Sequence, residues 1–133
     1  MAASTNEAGM RALAQGFFDA VEAADMDKVA SYYAEDVGIW HNFDNKVQTK
    51  AENLATLAAI PSRLTDRSYA ERRLEVFEDG FVQQHVLRAT RILDGARLEL
   101  FAAIICRVRN GKIVRLDEYL DSAQVAEMRK TAS

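Results

Sequence analysis

Three Asx-Gly pairs divide the second half of the chain into apolar segments of strand length. Asp79-Gly80, Asp94-Gly95 and Asn110-Gly111 punctuate runs rich in Val, Ile, Leu and Phe that begin near Leu64. Such pairs suit the positive φ angles of tight hairpin turns, and their recurrence at strand-length intervals strengthens the signal. The residues from 64 onward are therefore predicted to form four antiparallel strands in a meander.

The first half of the chain carries helical patterns instead. Between residues 6 and 24, apolar side chains recur at three- and four-residue spacings, which is the stripe of an amphipathic helix. Asp25 is placed to cap a short second helix, and a short C-terminal helix is predicted to begin near Ser122. The stripe on the first helix needs a partner surface to cover it.

A strand and a third helix are predicted between the second helix and the meander. Val37–His41 has strand character, and alternation turns Val37, Ile39 and His41 to one face. Thr49-x-x-Glu52 has the spacing of a capping box at the start of the third helix. Pro61 ends that helix, because proline cannot continue the hydrogen-bond ladder.

One strand of the predicted meander has a fully apolar face and a mixed face. Leu100, Ile104 and Cys106 share the apolar face, which belongs to the core. Phe101 and Ile105 lie on the other face among charged residues, where they would expose apolar area in a monomer. A homodimer formed through this sheet face is therefore predicted.

Length and composition bound the remaining possibilities. With 133 residues, 49% of them hydrophobic, the chain fits a single domain, 1–133, that can bury a core. A net charge of −3 with scattered Lys and Arg argues against a nucleic-acid partner, and no run approaches the roughly 20 apolar residues of a membrane span. The first residues lack a leader pattern, and the lone Cys106 cannot form an internal disulfide. A cytoplasmic protein is expected.

Three motifs carry a resemblance to a known family. They are Asp25-Met26-Asp27, the run Tyr-Ala-Glu-Asp-Val from Tyr33 to Val37, and the run Gly-Lys-Ile-Val-Arg-Leu-Asp-Glu-Tyr-Leu-Asp from Gly111 to Asp121. The chain resembles the SnoaL-like branch of the nuclear-transport-factor-2-like (NTF2-like) superfamily over nearly its whole length. The resemblance implies an α+β cone, with three N-terminal helices packed on a curved mixed or antiparallel sheet and a short C-terminal helix. It says less about function, because the superfamily includes isomerases, cyclases, dehydratases, epoxide hydrolases and non-catalytic binding modules.

The ketosteroid isomerase branch of this superfamily gives one set of matching positions. Its general-base aspartate, at the end of the first strand, matches His41, and its two oxyanion donors match Phe17 and Ile104. Phe17 and Ile104 are apolar, and each lost donor is typically worth about 3 to 4 kcal/mol. The resemblance therefore implies a pocket lined by these three residues but argues against ketosteroid isomerisation itself.

The limonene-epoxide-hydrolase branch gives a second set. Its aspartate, arginine and aspartate relay matches His85, Gln83 and Glu118 when Leu87-Arg88-Ala89 is used as the anchor. The changes to histidine and glutamine argue against epoxide hydrolysis, which stays a second alternative. They keep groups that can transfer protons in the pocket.

Alternation along the strands turns the same polar residues toward the core. Gln83 and His85 share an apolar face of their strand, and Glu118 shares a face of the last strand with Val114. Together with His41 they are predicted to form one cluster inside the cone. In that cluster one histidine acts as base and the other as acid, while Glu118 orients a ring and stabilises its charged form.

Each member of the cluster also has a purely structural explanation. His41 and His85 could be core histidines whose rings are satisfied by backbone groups, and a register shift of one residue would turn His85 outward. Glu118 could be a strand-end carboxylate paired with a surface arginine. The family position of His41 favours the functional role for that residue.

Two further residues are candidates for substrate binding. Asn42 follows the strand end and could bond a substrate oxygen, although turn chemistry is the stronger explanation. Tyr32 and Tyr33 are adjacent on the predicted second helix, so at most one, taken as Tyr33, points into the cone. Core packing is the favoured role for it, with a substrate hydrogen bond as the alternative.

Neither a metal nor a cofactor is expected. Two histidines and a glutamate match the ligand set of a non-haem iron site, but no pair has a short metal spacing such as His-x-x-x-His. Cys106 continues an apolar strand face, which argues against a nucleophilic role.

These observations predict a cofactor-independent enzyme that uses acid/base proton transfer in an apolar pocket. The expected substrate is a small hydrophobic molecule, aromatic, terpenoid or polyketide-like, and the expected reaction is isomerisation, dehydration, cyclisation or a retro-aldol type cleavage. The main alternative is a non-catalytic ligand-binding or protein-docking module of the same fold.

Overall fold

A computed structural model describes residues 6–131 of the protein. Residues 1–5, where a leader pattern was judged to be missing, lie outside the described residues. Within these residues, four α-helices and six strands follow one another. In order they are α1 (Glu7–Glu22), α2 (Met26–Tyr32), β1 (Tyr33–His41), β2 (Lys46–Gln48), α3 (Lys50–Ala59), a 3₁₀ turn (Ile60–Ser62), β3 (Leu64–Phe77), β4 (Gly80–Arg91), β5 (Arg97–Arg109), β6 (Lys112–Leu120) and α4 (Ser122–Met128).

The helices begin at the residues that the sequence marks as caps. The Asp25 side chain accepts a hydrogen bond from the backbone N–H of Lys28, and the capping box between Thr49 and Glu52 is complete. These bonds satisfy backbone donors that have no partner within the helix. Helix α3 ends two residues before Pro61, which lies in the 3₁₀ turn. The predicted capping of α2 and α3 is therefore confirmed.

The sheet has the strand order β2-β1-β6-β5-β4-β3. Strands β3 to β6 form the predicted antiparallel meander, and β1 pairs parallel with β6, which makes the sheet mixed. At the last hairpin Asn110 and Gly111 both have positive φ angles, as expected for an Asx-Gly turn. Glycine is required at position 80 for a different reason, because a Cβ there would lie 2.0 Å from the Cys106 carbonyl oxygen. At Gly80 the backbone approach of β5, rather than a positive φ, requires glycine.

Bulges change which side chains face inward. In β6 the register shifts where it passes Val108 of β5, so Ile113 is fully buried while Val114 is only half-buried. The prediction that Val114 shares the inner face with Glu118 is wrong for that reason. Strand β3 has two further bulges, and Asp66 and Glu71 adopt positive φ angles there.

The inner face of the sheet packs against the helices in two apolar clusters. The larger one joins α1 and α2 to the inner faces of β1, β4, β5 and β6, and the second joins α4 to β3, β4 and β5. On the outer face Phe101 is 54% exposed and Tyr119 is 48% exposed. The homodimer through this face stays a prediction. None of the helices within residues 6–131 is long and apolar enough to cross a membrane.

Candidate active site

A cavity of about 190 Å³ lies between the inner face of the sheet and helices α1, α3 and α4. Most of its wall is apolar, as a site for a poorly soluble ligand requires. The cavity also receives a limited set of polar or charged side chains. These are Tyr33, His41, Asp44, Gln48, Asn53, Thr56, Arg63, Tyr69, His85, Glu118 and Arg129.

His41 and Glu118 form a buried pair at one side of the cavity. They are opposite each other in the parallel register of β1 and β6, and the distance from His41 Nε2 to Glu118 Oε1 is 3.0 Å. Burial alone would lower the pKa of His41, but the hydrogen bond and negative charge of Glu118, together with the charge of Asp44, outweigh it. The pKa of His41 is therefore raised above its usual range.

His85 lies on the same inner face of the sheet with a different partner. Its Nδ1 is 3.0 Å from the Gln83 amide nitrogen, which has hydrogens to donate. Nδ1 must then be the acceptor, so the ring is neutral and carries its proton on Nε2. Burial lowers the pKa of His85, and Arg72 adds to this while Glu118 opposes it. The two histidines are therefore shifted in opposite directions, which is how a fold separates a base from a donor near neutral pH.

The register shows how far apart the two histidines stand. His41, Glu118, Ile104 and Gln83 form one row across β1, β6, β5 and β4, and His85 lies two residues further along β4 than Gln83. Three strand spacings of about 4.8 Å correspond to roughly 14 Å along a flat sheet, and curvature shortens this separation across the cavity. Both rings therefore line one cavity, each from its own strand.

Tyr69 is a cavity residue that sequence analysis did not identify. Its ring packs against the His85 ring with centroids 5.0 Å apart, and its hydroxyl has no hydrogen-bond partner among residues 6–131. Burial raises the pKa of Tyr69, so the hydroxyl keeps its proton and stays a donor. Tyr69 lies between the bulges at Asp66 and Glu71. Neither bulge residue is glycine, so no residue type in the sequence marks the change in strand parity.

Tyr33 begins a chain of hydrogen bonds along the wall formed by α3. Contrary to prediction, Tyr33 is the first residue of β1 rather than part of the second helix. Its hydroxyl donates to Asn53 Oδ1 at 2.7 Å, Asn53 donates to Gln48 at 3.0 Å, and Gln48 donates to Thr56 at 2.9 Å. All four side chains line the cavity. The chain fixes the direction of each of these donors.

Tyr32, the other tyrosine of the pair, does not line the cavity. It packs against the first helix, and a Cβ at Gly16 would lie 2.1 Å from its hydroxyl. Phe17 and Ile104 line the cavity, as the family positions imply, and both are apolar. No oxyanion donor therefore stands at either of those positions.

Two predicted site residues lie outside the cavity wall. Asn42 is exposed, and its side chain bonds both the N–H and the C=O of Leu120, at 2.8 and 3.0 Å. It thus ties the end of β1 to the end of β6, next to the His41 and Glu118 pair. Gln83 is fully buried behind His85 and reaches the cavity only through that ring. Both are placed to position the histidines rather than to touch a ligand.

Metal ligation and nucleophilic catalysis find little support in the described part of the chain. Within residues 6–131 no three His, Cys, Asp or Glu side chains are grouped so that they could hold a metal ion. Cys106 is fully buried, and burial raises the pKa of its thiol, which keeps it in the unreactive protonated form.

Solved structures from several bacteria share this architecture. An NTF2-like protein from Burkholderia xenovorans LB400 superposes with a TM-score of 0.77 at 16% identity, covering 95% of this chain and 99% of its own. IdmH from Streptomyces antibioticus, for which polyketide cyclase activity is proposed, gives 0.79 at 16% identity, covering 89% and 96%. A protein with a ketosteroid isomerase-like fold from Catenulispora acidiphila DSM 44928 gives 0.75 at 11% identity, covering 87% and 90%. Likeness at these identities establishes the fold alone.

The family of the chain is identified by comparison of its sequence with family profiles. No curated protein matches the chain. The family profile described as the SnoaL-like domain matches residues 14–116, which include α1 from Ala14 onward and end at Leu116 in the last strand. That match covers His41 and His85 and stops two residues short of Glu118. The chain therefore belongs to the SnoaL-like domain family and has the NTF2-like fold.

Proposed function

We propose that this protein is a cofactor-independent enzyme that moves a proton on a small carbonyl compound held in the cavity. The observation that carries the proposal is the His41–Glu118 pair, bonded at 3.0 Å inside an apolar cavity that also holds the neutral His85. Paired titratable groups with opposite pKa shifts in one cavity are typical of acid/base catalysis.

His41 is the proposed base. Its Nε2–H donates to Glu118, so in the neutral ring Nδ1 carries the lone pair that accepts a substrate proton. Glu118 stabilises the imidazolium that results, and the raised pKa of His41 reflects this greater proton affinity. A positioned general base contributes typically about 10²- to 10⁴-fold to the rate.

Tyr69 and His85 are the proposed donors to the oxygen on which negative charge develops. The Tyr69 hydroxyl is unpartnered among the described residues, and the Nε2–H of His85 belongs to a ring whose other nitrogen is already bonded to Gln83. They would replace the donors that Phe17 and Ile104 cannot supply. A preorganised donor of this kind is worth about 3 to 4 kcal/mol in the transition state.

The size of the cavity narrows the proposed substrate. About 190 Å³ is less than the roughly 300–1,000 Å³ of sites for drug-sized ligands, and engineered cavities of about 150 Å³ hold one benzene ring. This supports a substrate with one ring or a short chain over a multi-ring polyketide or a large terpenoid. Isomerisation, dehydration, cyclisation and retro-aldol cleavage all remain within the proposed proton-transfer chemistry.

Hydrogen–deuterium exchange tests the proposal without a known product. Phenylacetone and phenylpyruvate are incubated with the protein in D₂O, and loss of the methylene proton signal is followed by ¹H NMR. The wild type is expected to accelerate exchange over buffer, and His41→Gln is expected to return the rate to that of buffer. Gln84→Ala, an exposed change on the strand that carries His85, is the matched control and should exchange like the wild type.

The same experiment separates the rival functions. A ligand-binding module would bind these compounds without accelerating exchange, and the proposal then fails. Retention of wild-type exchange by His41→Gln would also refute it. The epoxide-hydrolase relay has less support, because the residue at its arginine position, Gln83, is uncharged and does not line the cavity.

A further inference from the structure

Arg63 is a cavity-lining cation without a protein partner. It follows the 3₁₀ turn and precedes β3, and its Nε is the one buried side-chain nitrogen or oxygen within residues 6–131 that lacks a hydrogen bond. No carboxylate of the described residues lies within 4.0 Å of its guanidinium, and its terminal nitrogens make no hydrogen bond to them either. An unpaired guanidinium beside a largely apolar cavity is costly unless something else bonds it.

Arg63 as a whole is half-buried, whereas the buried Arg91 shows what the chain does where a guanidinium is structural. Arg91 is 7% exposed, and it bonds both carboxylate oxygens of Asp94 and the carboxylate of Glu127 at 2.7 to 2.9 Å. Arg72 similarly pairs with Asp19 and Glu22. Arg63 departs from this pattern, because residues 6–131 supply no carboxylate to it and its guanidinium is left to water or to a ligand.

The backbone of Arg63 is held in place at the edge of the cavity. Its backbone N–H donates to Ile60 and its C=O accepts from Ile92, both at 2.9 Å, which anchors the residue on both sides. Arg129 lines the same cavity and stacks over the Phe43 ring at 5.5 Å. Phe43 in turn packs 5.5 Å from the His41 ring. Arg129 thus places positive charge near His41, and Arg63 adds a second guanidinium to the same cavity wall.

We infer that the substrate is a small acid whose carboxylate pairs with Arg63. The inference rests on the proposed function and adds the charge of the substrate to it. The planar guanidinium matches a carboxylate in a two-bond fork, and the apolar wall accepts the ring or short chain attached to it. Glu118 is engaged by His41 and Asp44 is exposed, so neither neutralises Arg63. A volume of about 190 Å³ suits a single-ring acid.

Paired acids and amides of equal size test the inference by binding alone. Benzoate against benzamide and crotonate against crotonamide are titrated into the protein by isothermal titration calorimetry. Wild type is expected to bind each acid at least tenfold more tightly than its amide, because a charge-assisted pair is stronger than a neutral hydrogen bond. Arg63→Gln should remove that preference and leave amide affinity unchanged, and Arg63→Lys should retain part of it.

The control is Arg73→Gln, which removes an exposed arginine from β3 outside the cavity and should keep the full preference. Circular dichroism verifies that each variant is folded. Equal affinity for acid and amide in the wild type, no binding of either acid, or an unchanged preference in Arg63→Gln would overturn the inference. His41→Gln should keep the acid preference. A preserved preference with no deuterium exchange in the wild type would therefore refute the proposed function while supporting this inference.

Discussion

The surroundings of His41 and His85 differ in one chemical respect, although the two rings occupy similar positions. Both are on the inner face of the sheet, and they are 9% and 4% exposed. His41 bonds a carboxylate and has a raised pKa, whereas His85 bonds an amide and has a lowered pKa. Burial pushes both rings toward the neutral form, so the partner decides which of them gains proton affinity.

This difference supports the roles proposed for the two histidines. Strand parity reports only the face on which a side chain lies and allows either role for each ring, so only the family position of His41 favoured it as the base. The carboxylate partner makes His41 the stronger base, and the amide partner keeps His85 as a neutral donor. The five predictions below test whether the partners, rather than the positions, produce this division.

The largest effect is expected from His41→Gln. Glutamine can still bond Glu118 but cannot accept a proton, so methylene exchange should fall by about 10³-fold, within the range for loss of a general base. His85→Gln, which keeps a donor at the second position, should cost no more than about tenfold. The ratio of the exchange rates of the two variants in D₂O shows how differently the two histidines contribute. Equal losses in both variants would contradict the proposed roles.

A loss of about 10²-fold is expected for Tyr69→Phe, because it removes one donor to the developing oxyanion. The ring contact with His85 at 5.0 Å is retained, so folding should be unaffected. Tyr119→Phe removes a hydroxyl from the exposed outer face and serves as the control. If exchange rates of Tyr69→Phe and Tyr119→Phe are alike, Tyr69 is not a donor.

Strand alternation was sufficient to predict that His41, His85, Gln83 and Glu118 face inward, but not which polar group bonds which ring. The parallel pairing of β1 with β6 brings Glu118 beside His41 from about 80 residues away, and no local pattern specifies that register. Tyr69 was missed because bulges flanking it alter the parity of β3 without a glycine to mark them. Arg63 was missed because it lies between two elements, where neither helical nor strand periodicity predicts orientation.

Glu118→Gln should move the pH dependence and slow exchange by about tenfold. His41 acts as a base only when neutral, so the wild-type rate should rise with pH through the raised pKa of His41. Without the carboxylate that pKa falls, and the rising limb should shift to lower pH. Asp117→Asn, which removes the neighbouring carboxylate bonded to Arg115, should leave the limb in place.

The free energy of unfolding should also reflect the ion pair between His41 and Glu118. The pKa of His41 in the folded protein lies above the usual histidine value of about 6.5. The His41–Glu118 pair therefore contributes its full stabilisation at pH values below about 6.5. This stabilisation is lost as the pH rises through the raised pKa of the folded state. The difference in free energy of unfolding between wild type and Glu118→Gln should therefore be larger at pH 6 than at pH 8.5. Urea denaturation at the two pH values measures it, and a difference that grows with pH would contradict the assignment.

The smallest effect is expected from Gln83→Met, which tests the hydrogen bond between Gln83 and His85. Methionine fills a similar volume but cannot donate to Nδ1 of His85, so the ring loses the bond that fixes its tautomer. Two-dimensional ¹H–¹⁵N NMR should show the His85 nitrogens moving from distinct values toward a mixture of both tautomers. Exchange should slow by less than tenfold, and the free energy of unfolding should fall by about 1 kcal/mol.

Gln84→Met is the control for this change, since Gln84 is the exposed neighbour of Gln83 on β4. It should alter neither the nitrogen shifts nor the rate. If Gln83→Met leaves His85 in a single tautomer, the direction of the ring is set by packing against Tyr69 and Phe18, whose rings lie 5.0 and 5.6 Å from it. The bond to the Gln83 amide would then not determine the tautomer of His85. Only the carboxylate of Glu118 would distinguish the two histidines.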